Sequence, residues 1–312
     1  MENFLLSIHV VMPLVIYMAI GALLKKTGVV SQQSFRQLSQ IVFYVAVPAL
    51  CIENLRVLEL GTVFSDPFAL YIGGGILILF ALCMAVVPLC TADNRRRGVL
   101  IHGIFRSNDG VFGIAVGTAL LGEARMGGMI LCIALTIPIY NFLAIVVMEL
   151  YRGGKPDFRK VLLQLVKNPI LIGCVIGLLL SAFHVNVPLI LAKPLAGLSA
   201  MCSPLGFLAL GGALTFDSIR ENWKALTVVT LLRLIVIPVI TVGALYLMGY
   251  RGEQILIATV IFGAPTAMTL YPMACSMNGD EKLAGGIVAV TSVLSMFTMF
   301  CFIFLLKQTG VA

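Results

Sequence analysis

GVLIHGIFRSNDGVFGIAVGTALLG, residues 98–122, is apolar at both ends and strongly polar in the middle. Its length fits a bilayer crossing, which takes about 20 mostly apolar residues. At its centre stand Arg106, Ser107, Asn108 and Asp109, followed by Gly110. An arginine at the bilayer centre costs at least about 2.5 kcal/mol on insertion scales, so Arg106 must face a cavity or a partner. A second stretch, EQILIATVIFGAPTAMTLYPMACS (253–276), carries Gly263, Pro265 and Pro272 inside an equally apolar run. Proline removes a backbone donor and clashes with the preceding turn, and glycine supplies unusual dihedrals. Both stretches therefore read as broken helices, with Gly110, Gly113, Gly263 and Pro265 as the breaking residues. Unwound backbone at this depth survives only where protein or water satisfies it.

Working outward, composition requires lipid as the solvent. Of 312 residues, 60% are hydrophobic and 11% charged, with mean hydropathy +1.06; soluble domains carry about 25% charged residues. Ten spans can be counted, at about 4–24, 37–55, 68–90, 98–121, 127–150, 168–184, 194–215, 224–247, 253–275 and 284–306. The N-terminus lacks a basic region and a small-residue cleavage site, so it reads as a retained first span. The connections are too short for a soluble catalytic domain.

Lysine and arginine set the orientation. With the N-terminus outside, fourteen of them fall in cytoplasmic connections and five on the other side. This predicts a multi-pass protein of the inner (plasma) membrane with both termini outside the cytoplasm. It also accounts for most of the net charge of +7 without a nucleic-acid partner. Eight cysteines, none in a CxxC pair, read as small buried hydrophobes. The three histidines lack metal-ligand spacing, and no metal or cofactor is expected.

The two halves can be overlaid. Pro13 and Gly21 precede Pro169 and Gly177 by 156 residues, as Pro48 precedes Pro204. Arg97-Gly98 precedes Arg251-Gly252 by 154, and Thr136 precedes Thr291 by 155. Five spans per copy is odd, so the second copy enters from the other side. Residues 1–155 and 156–312 are thus expected to form an inverted repeat, a common build among secondary transporters. The broken spans 4 and 9 hold matching places and are expected to cross near the midplane, where their half-helix N-termini favour an anion.

Arg106 would either pair with Asp109 three residues on, or draw in a carboxylate through bidentate hydrogen bonds. In the second case Asp109 is the candidate for a coupling proton or cation. Asn141, polar and midspan, either holds helices together or contacts substrate. Arg233 lies about a turn and a half from the cytoplasmic end of span 8, which favours snorkelling.

Ala264-Pro265-Thr266-Ala267, Asn278-Gly279-Asp280-Glu281, Leu283-Ala284 and TSVLSMFT (291–298) together resemble the auxin efflux carrier family, which includes bacterial malate and malonate permeases. Asn108, Gly110 and Gly113 resemble that family's pattern in span 4. VAVPAL (45–50), SPLGFLALGGAL (203–214) and Tyr140-Asn141 extend the likeness along the chain, in order. Ala115 stands where the family usually has proline, so span 4 is expected to unwind through Gly110 and Gly113 instead.

The resemblance implies an all-α protein of ten transmembrane helices. Spans 1, 2, 6 and 7 would form a scaffold, and spans 3–5 and 8–10 a transport domain. It implies elevator-like alternating access, a homodimer through the scaffold, and a small organic anion as substrate. Arg106, Asn108, Gly110, Asn141, Pro265 and Thr266 are the expected substrate-binding residues, with H⁺ or Na⁺ as coupling ion. The related sodium-coupled bile-acid symporters are the alternative within transport. An intramembrane enzyme would need HExxH or GxGD, and neither is present; a channel would need a filter-like loop, and none is seen.

Overall fold

The computed structural model describes residues 2–57, 66–152, 158–214 and 216–311. The described residues are helical and contain no strand, only one isolated bridge. The helices are α1 (Glu2–Lys26), α2 (Gln32–Leu55), α3 (Pro67–Cys90), α4 (Asn94–Phe105), α5 (Asp109–Leu121), α6 (Gly127–Leu150), α7 (Phe158–Lys167), α8 (Pro169–Ala182), α9 (Leu189–Ala213), α10 (Phe216–Glu221), α11 (Trp223–Leu247), α12 (Glu253–Gly263), α13 (Leu270–Ser276) and α14 (Glu281–Gln308). Among the described residues, six of them, α2, α3, α6, α9, α11 and α14, are long and apolar enough to cross a membrane.

Local chemistry sets the helix starts. Asp66 accepts from the Phe68 amide at 3.0 Å ahead of Pro67, and Asn168 accepts from the Ile170 amide at 2.9 Å ahead of Pro169. Asp93 and Asp280 cap α4 and α14 in the same way. Each such cap satisfies an amide that the helix start leaves open. One predicted start moves: span 7 begins at Leu189, not near 194. Pro188 is extended (φ −56, ψ 144) and ends the preceding turn, while Pro194 lies inside the helix. Lys193 is therefore helical rather than part of a connection.

Helices pack closest where glycine lets backbones touch, as is common between membrane helices. A methyl group on Gly21 of α1 would sit 2.1 Å from the Leu208 carbonyl oxygen of α9. One on Gly177 of α8 would sit 3.1 Å from Ile52 Cα of α2. Gly21 and Gly177 are 156 residues apart, and so are Ile52 and Leu208. Each glycine thus leans on the helix that corresponds to its counterpart's neighbour.

The spacing of 154 does not hold for the broken helices. Ser107 pairs with Thr266 in the antiparallel bridge, a separation of 159, and α4 and α12 also begin 159 apart. Arg97-Gly98 lies inside α4, whereas Arg251-Gly252 precedes α12, with Gly252 at φ +59. That match is coincidental, because in apolar helices a two-residue identity carries little register information.

Gly21→Ala and Gly211→Ala, where the new methyl would sit 2.0–2.1 Å from backbone oxygen, are expected to lower the melting temperature of the purified protein. The expected cost is about 1–3 kcal/mol each. Gly74→Ala, which meets nothing within 4 Å, is expected to leave it unchanged. Thermal unfolding monitored by size-exclusion chromatography of heated samples checks both.

Candidate functional site

Two helices stop and restart side by side. The α4 helix ends at Phe105, and Arg106 (φ −87, ψ 118) is extended. The α12 helix ends at Gly263, and Ala264 (φ −63, ψ 151) is extended. The two extended stretches pair: the Asn108 amide donates to Pro265 O at 2.9 Å, and the Ala267 amide to Arg106 O at 3.3 Å. Side chains repeat this reciprocity. Ser107 Oγ donates to Ile261 O at 2.6 Å, and Thr266 Oγ1 to Gly103 O at 2.7 Å. Each hydroxyl takes up a carbonyl near the open end of the other helix.

The break in span 4 therefore falls at Arg106–Asn108, upstream of the expected glycines. Gly110 and Gly113 lie in a wide π-type helical turn, Asp109–Gly113, and neither has positive φ. Glycine's conformational freedom is not used there. What separates the two pieces is the backbone pairing with the second broken helix.

Arg233 holds the junction together. It is fully buried, 0% exposed, and does not snorkel. Its Nε donates to Ala264 O at 3.0 Å, and its terminal nitrogens to Ile104 O, Phe105 O and Ile261 O at 3.4 Å. These carbonyls belong to the ends of α4 and α12, where helices leave acceptors unmatched and partial negative charge accumulates. A planar guanidinium spreads five donors over a rigid fork and so reaches two helix ends at once, where an ammonium offers three donors from a single point.

The broken segments border a cavity of about 60 Å³. Arg106, Asn108, Asp109, Gly110, Tyr140, Asn141 and Thr269 line one side, and Val47, Leu50, Cys51 and Asn54 of α2 face them. Four of the expected binding residues (Arg106, Asn108, Gly110, Asn141) come together here. Pro265 and Thr266 do not line the cavity: Thr266 is fully buried and both serve the backbone pairing. Tyr140, quoted above only for the family likeness, and Thr269, signalled only as a polar group inside an apolar run, are additions.

Arg106 and Asp109 turn to different partners. The Arg106 guanidinium donates to Asn141 Oδ1, lies 3.5 Å from His102 Nε2 and 3.6 Å from Met273 Sδ. Asp109 accepts from the Thr136 hydroxyl. Helical neighbours three apart share a face only if the helix is continuous, and this one is interrupted between them. Asn141 also donates to Cys51 Sγ at 3.3 Å, so it positions Arg106 against α2. Asn108 Nδ2 and Thr269 Oγ1 are buried and have no hydrogen-bond partner among the described residues. Both stand on the cavity.

Residues 6–303 match the sequence model of the family described as membrane transport protein. The chain belongs to this family, that of the auxin efflux carriers. An uncharacterized transporter of Methanothermobacter thermautotrophicus is 22% identical over 308 residues, covering 95% of this chain and 97% of its own. An uncharacterized transporter of Methanocaldococcus jannaschii is 21% identical over 305 residues, with the same coverage. A multi-pass membrane transporter is thus the functional class of the chain, in agreement with its apolar helices.

Arg233→Met is expected to strand three buried carbonyls, those of Ile104, Phe105 and Ala264, each costing about 1–3 kcal/mol when unsatisfied, while Ile261 O keeps the Ser107 hydroxyl. Its melting temperature should fall sharply, with Arg233→Lys in between. A variant Arg233→Met that melts like the native protein would show that the junction does not depend on this side chain.

Proposed function

We propose that the chain is a secondary active transporter of a small organic anion, a carboxylate such as malate or malonate. The observation that carries this reading is the donor set on one cavity: the Arg106 guanidinium, the unpartnered Asn108 amide and the unpartnered Thr269 hydroxyl. A buried donor without a partner is costly, and an anionic oxygen is the ligand that would relieve it. The N-terminus of α5, through Gly110 and Val111, faces the same space, and helix N-termini favour anions.

The cavity lies between α2 and the broken helices, which suits alternating access. In this reading spans 1, 2, 6 and 7 (α1, α2, α8, α9) form the scaffold. The other six, with α4–α5 and α12–α13 as the broken pair, form a domain that moves past it like an elevator. The reciprocal packing of Gly21 and Gly177 supports two inverted repeats of five spans, within residues 1–155 and 156–312. A homodimer through the scaffold, in the inner (plasma) membrane with both termini outside the cytoplasm, completes the proposal. Asp109, buried and hydrogen-bonded to a hydroxyl rather than to Arg106, is the coupling position for H⁺ or Na⁺. If Na⁺ is the ion, the protein works as the bile-acid symporters do.

Labelled malate uptake into proteoliposomes, with proton and Na⁺ gradients imposed separately, tests the reading. Saturable uptake is expected, with Arg106→Ala and Asn108→Ala each lowering apparent affinity about 10- to 100-fold, the worth of a hydrogen bond to a charged group. Asp109→Asn is expected to retain binding and lose the response to the driving gradient. Uptake that is indifferent to Arg106 and Asn108 would place the site elsewhere.

A further inference from the structure

A second cavity, about 670 Å³, opens between α3 and α11 on the outer face of the bundle. Its walls are apolar: Leu82 and Val86 of α3, Val228 and Val236 of α11, with Leu100 and Ile104 of α4 as the floor. The wall residues are 38–57% exposed, so the groove faces whatever surrounds the helices. From Leu79 to Thr91 is about 18 Å of helix, and from Lys224 to Ile240 about 24 Å, at ~1.5 Å per residue. Half of a ~30 Å hydrocarbon core is about 15 Å. The groove is therefore long enough for one acyl chain of one leaflet.

One end of it is basic. Arg96 and Lys224 line that end, with Thr91 between them. The neighbouring arginines are already engaged. Arg95 donates to Asn278 O and Gly279 O, both at 3.1 Å, and Arg97 to Thr91 O at 2.7 Å and Pro88 O at 3.0 Å. Among the described residues the Arg96 side chain has only Asp280, at 3.5 Å and partly exposed. Lys224 has no acidic partner among the described residues; its Nζ stands 5.7 Å over the Trp223 ring. Trp223 is 58% exposed, and such tryptophans settle at headgroup level. A tail-length groove thus ends, at headgroup depth, in two cations, of which Arg96 meets one carboxylate and Lys224 none among the described residues.

We propose that this groove is a binding site for an anionic phospholipid, its phosphate held between Arg96 and Lys224 and one acyl chain lying along α3 and α11. The floor gives the site a reach into the transport machinery. Ile104 offers its carbonyl to Arg233, and Leu232 of the groove wall is the residue before Arg233. A bound chain would rest against Ile104 and Leu232, the residues that adjoin Arg233 at the junction of the broken helices. The site does not depend on the identity of the transported anion.

The chain has a single tryptophan, Trp223, and it stands at the rim, so it is a built-in reporter. The experiment is quenching of its fluorescence by brominated phosphatidylglycerol in a phosphatidylcholine bilayer, and by brominated phosphatidylcholine in the reverse mixture. A basic residue near the surface is worth roughly fivefold in affinity for an anionic lipid. Phosphatidylglycerol is therefore expected to be preferred at least fivefold, up to about 25-fold, and the preference should drop to near one in the double variant Arg96→Gln, Lys224→Gln. Equal quenching by both lipids in the native protein, or a preference that survives in the double variant, overturns the proposal. Arg220→Gln, outside the groove, serves as the charge control and should keep the preference.

Discussion

A helix that ends inside a membrane leaves carbonyls with no partner, and hydrocarbon offers none. In this protein two helices end side by side, and one buried guanidinium answers both. Each helix end carries roughly half a negative charge, so the ends of α4 and α12 together balance about one cation. Arg233 is that cation, bonded to carbonyls of both. The extended residues beyond the helix ends, the bridge of Ser107 with Thr266 and the placement of Arg106 all presuppose this junction. A charge that would be prohibitive elsewhere in the membrane is stabilised here by the breaks themselves.

The opposite pole of each break is left for something else. The restarting helices present amides rather than carbonyls, and Arg106 adds a cation held by Asn141. Asn141 is in turn tied to Cys51 of α2, so the guanidinium is linked through Asn141 to α2. Movement of α2 relative to the broken pair would break the Asn141–Cys51 contact and loosen Arg106. In the proposed reading, this amide side chain is what couples affinity for an anion to the relative position of the helices.

Much of this was legible beforehand, and the misses share a cause. Four successive polar residues at bilayer depth, Arg106 to Asp109, announced a break; no apolar packing could accommodate them. Gly263 and Pro265 announced the second break. What the sequence left undetermined was pairing between elements. Arg233 sits as close to a helix end as a snorkelling arginine would, and only the helix's face distinguishes the two. Pairing of Arg106 with Asp109, one of the two alternatives left open, assumed a continuous helix in the one place where a break had been inferred. The residue offset of 154 failed for the same reason, since the register of the broken helices is fixed by backbone hydrogen bonds that no residue identity reports.

The bridge between Ser107 and Thr266 also has a consequence for biogenesis. The two residues are 159 apart in the chain. At ~5–20 residues per second, the ribosome delivers the second roughly 8 to 30 seconds after the first. Throughout that interval the unwound stretch and its open carbonyls lack their partners on α11 and α12, whereas Arg106 already has Asn141. The first half of the molecule enters the membrane with an unfinished backbone, and holding it there until α11 and α12 arrive falls to the insertion machinery.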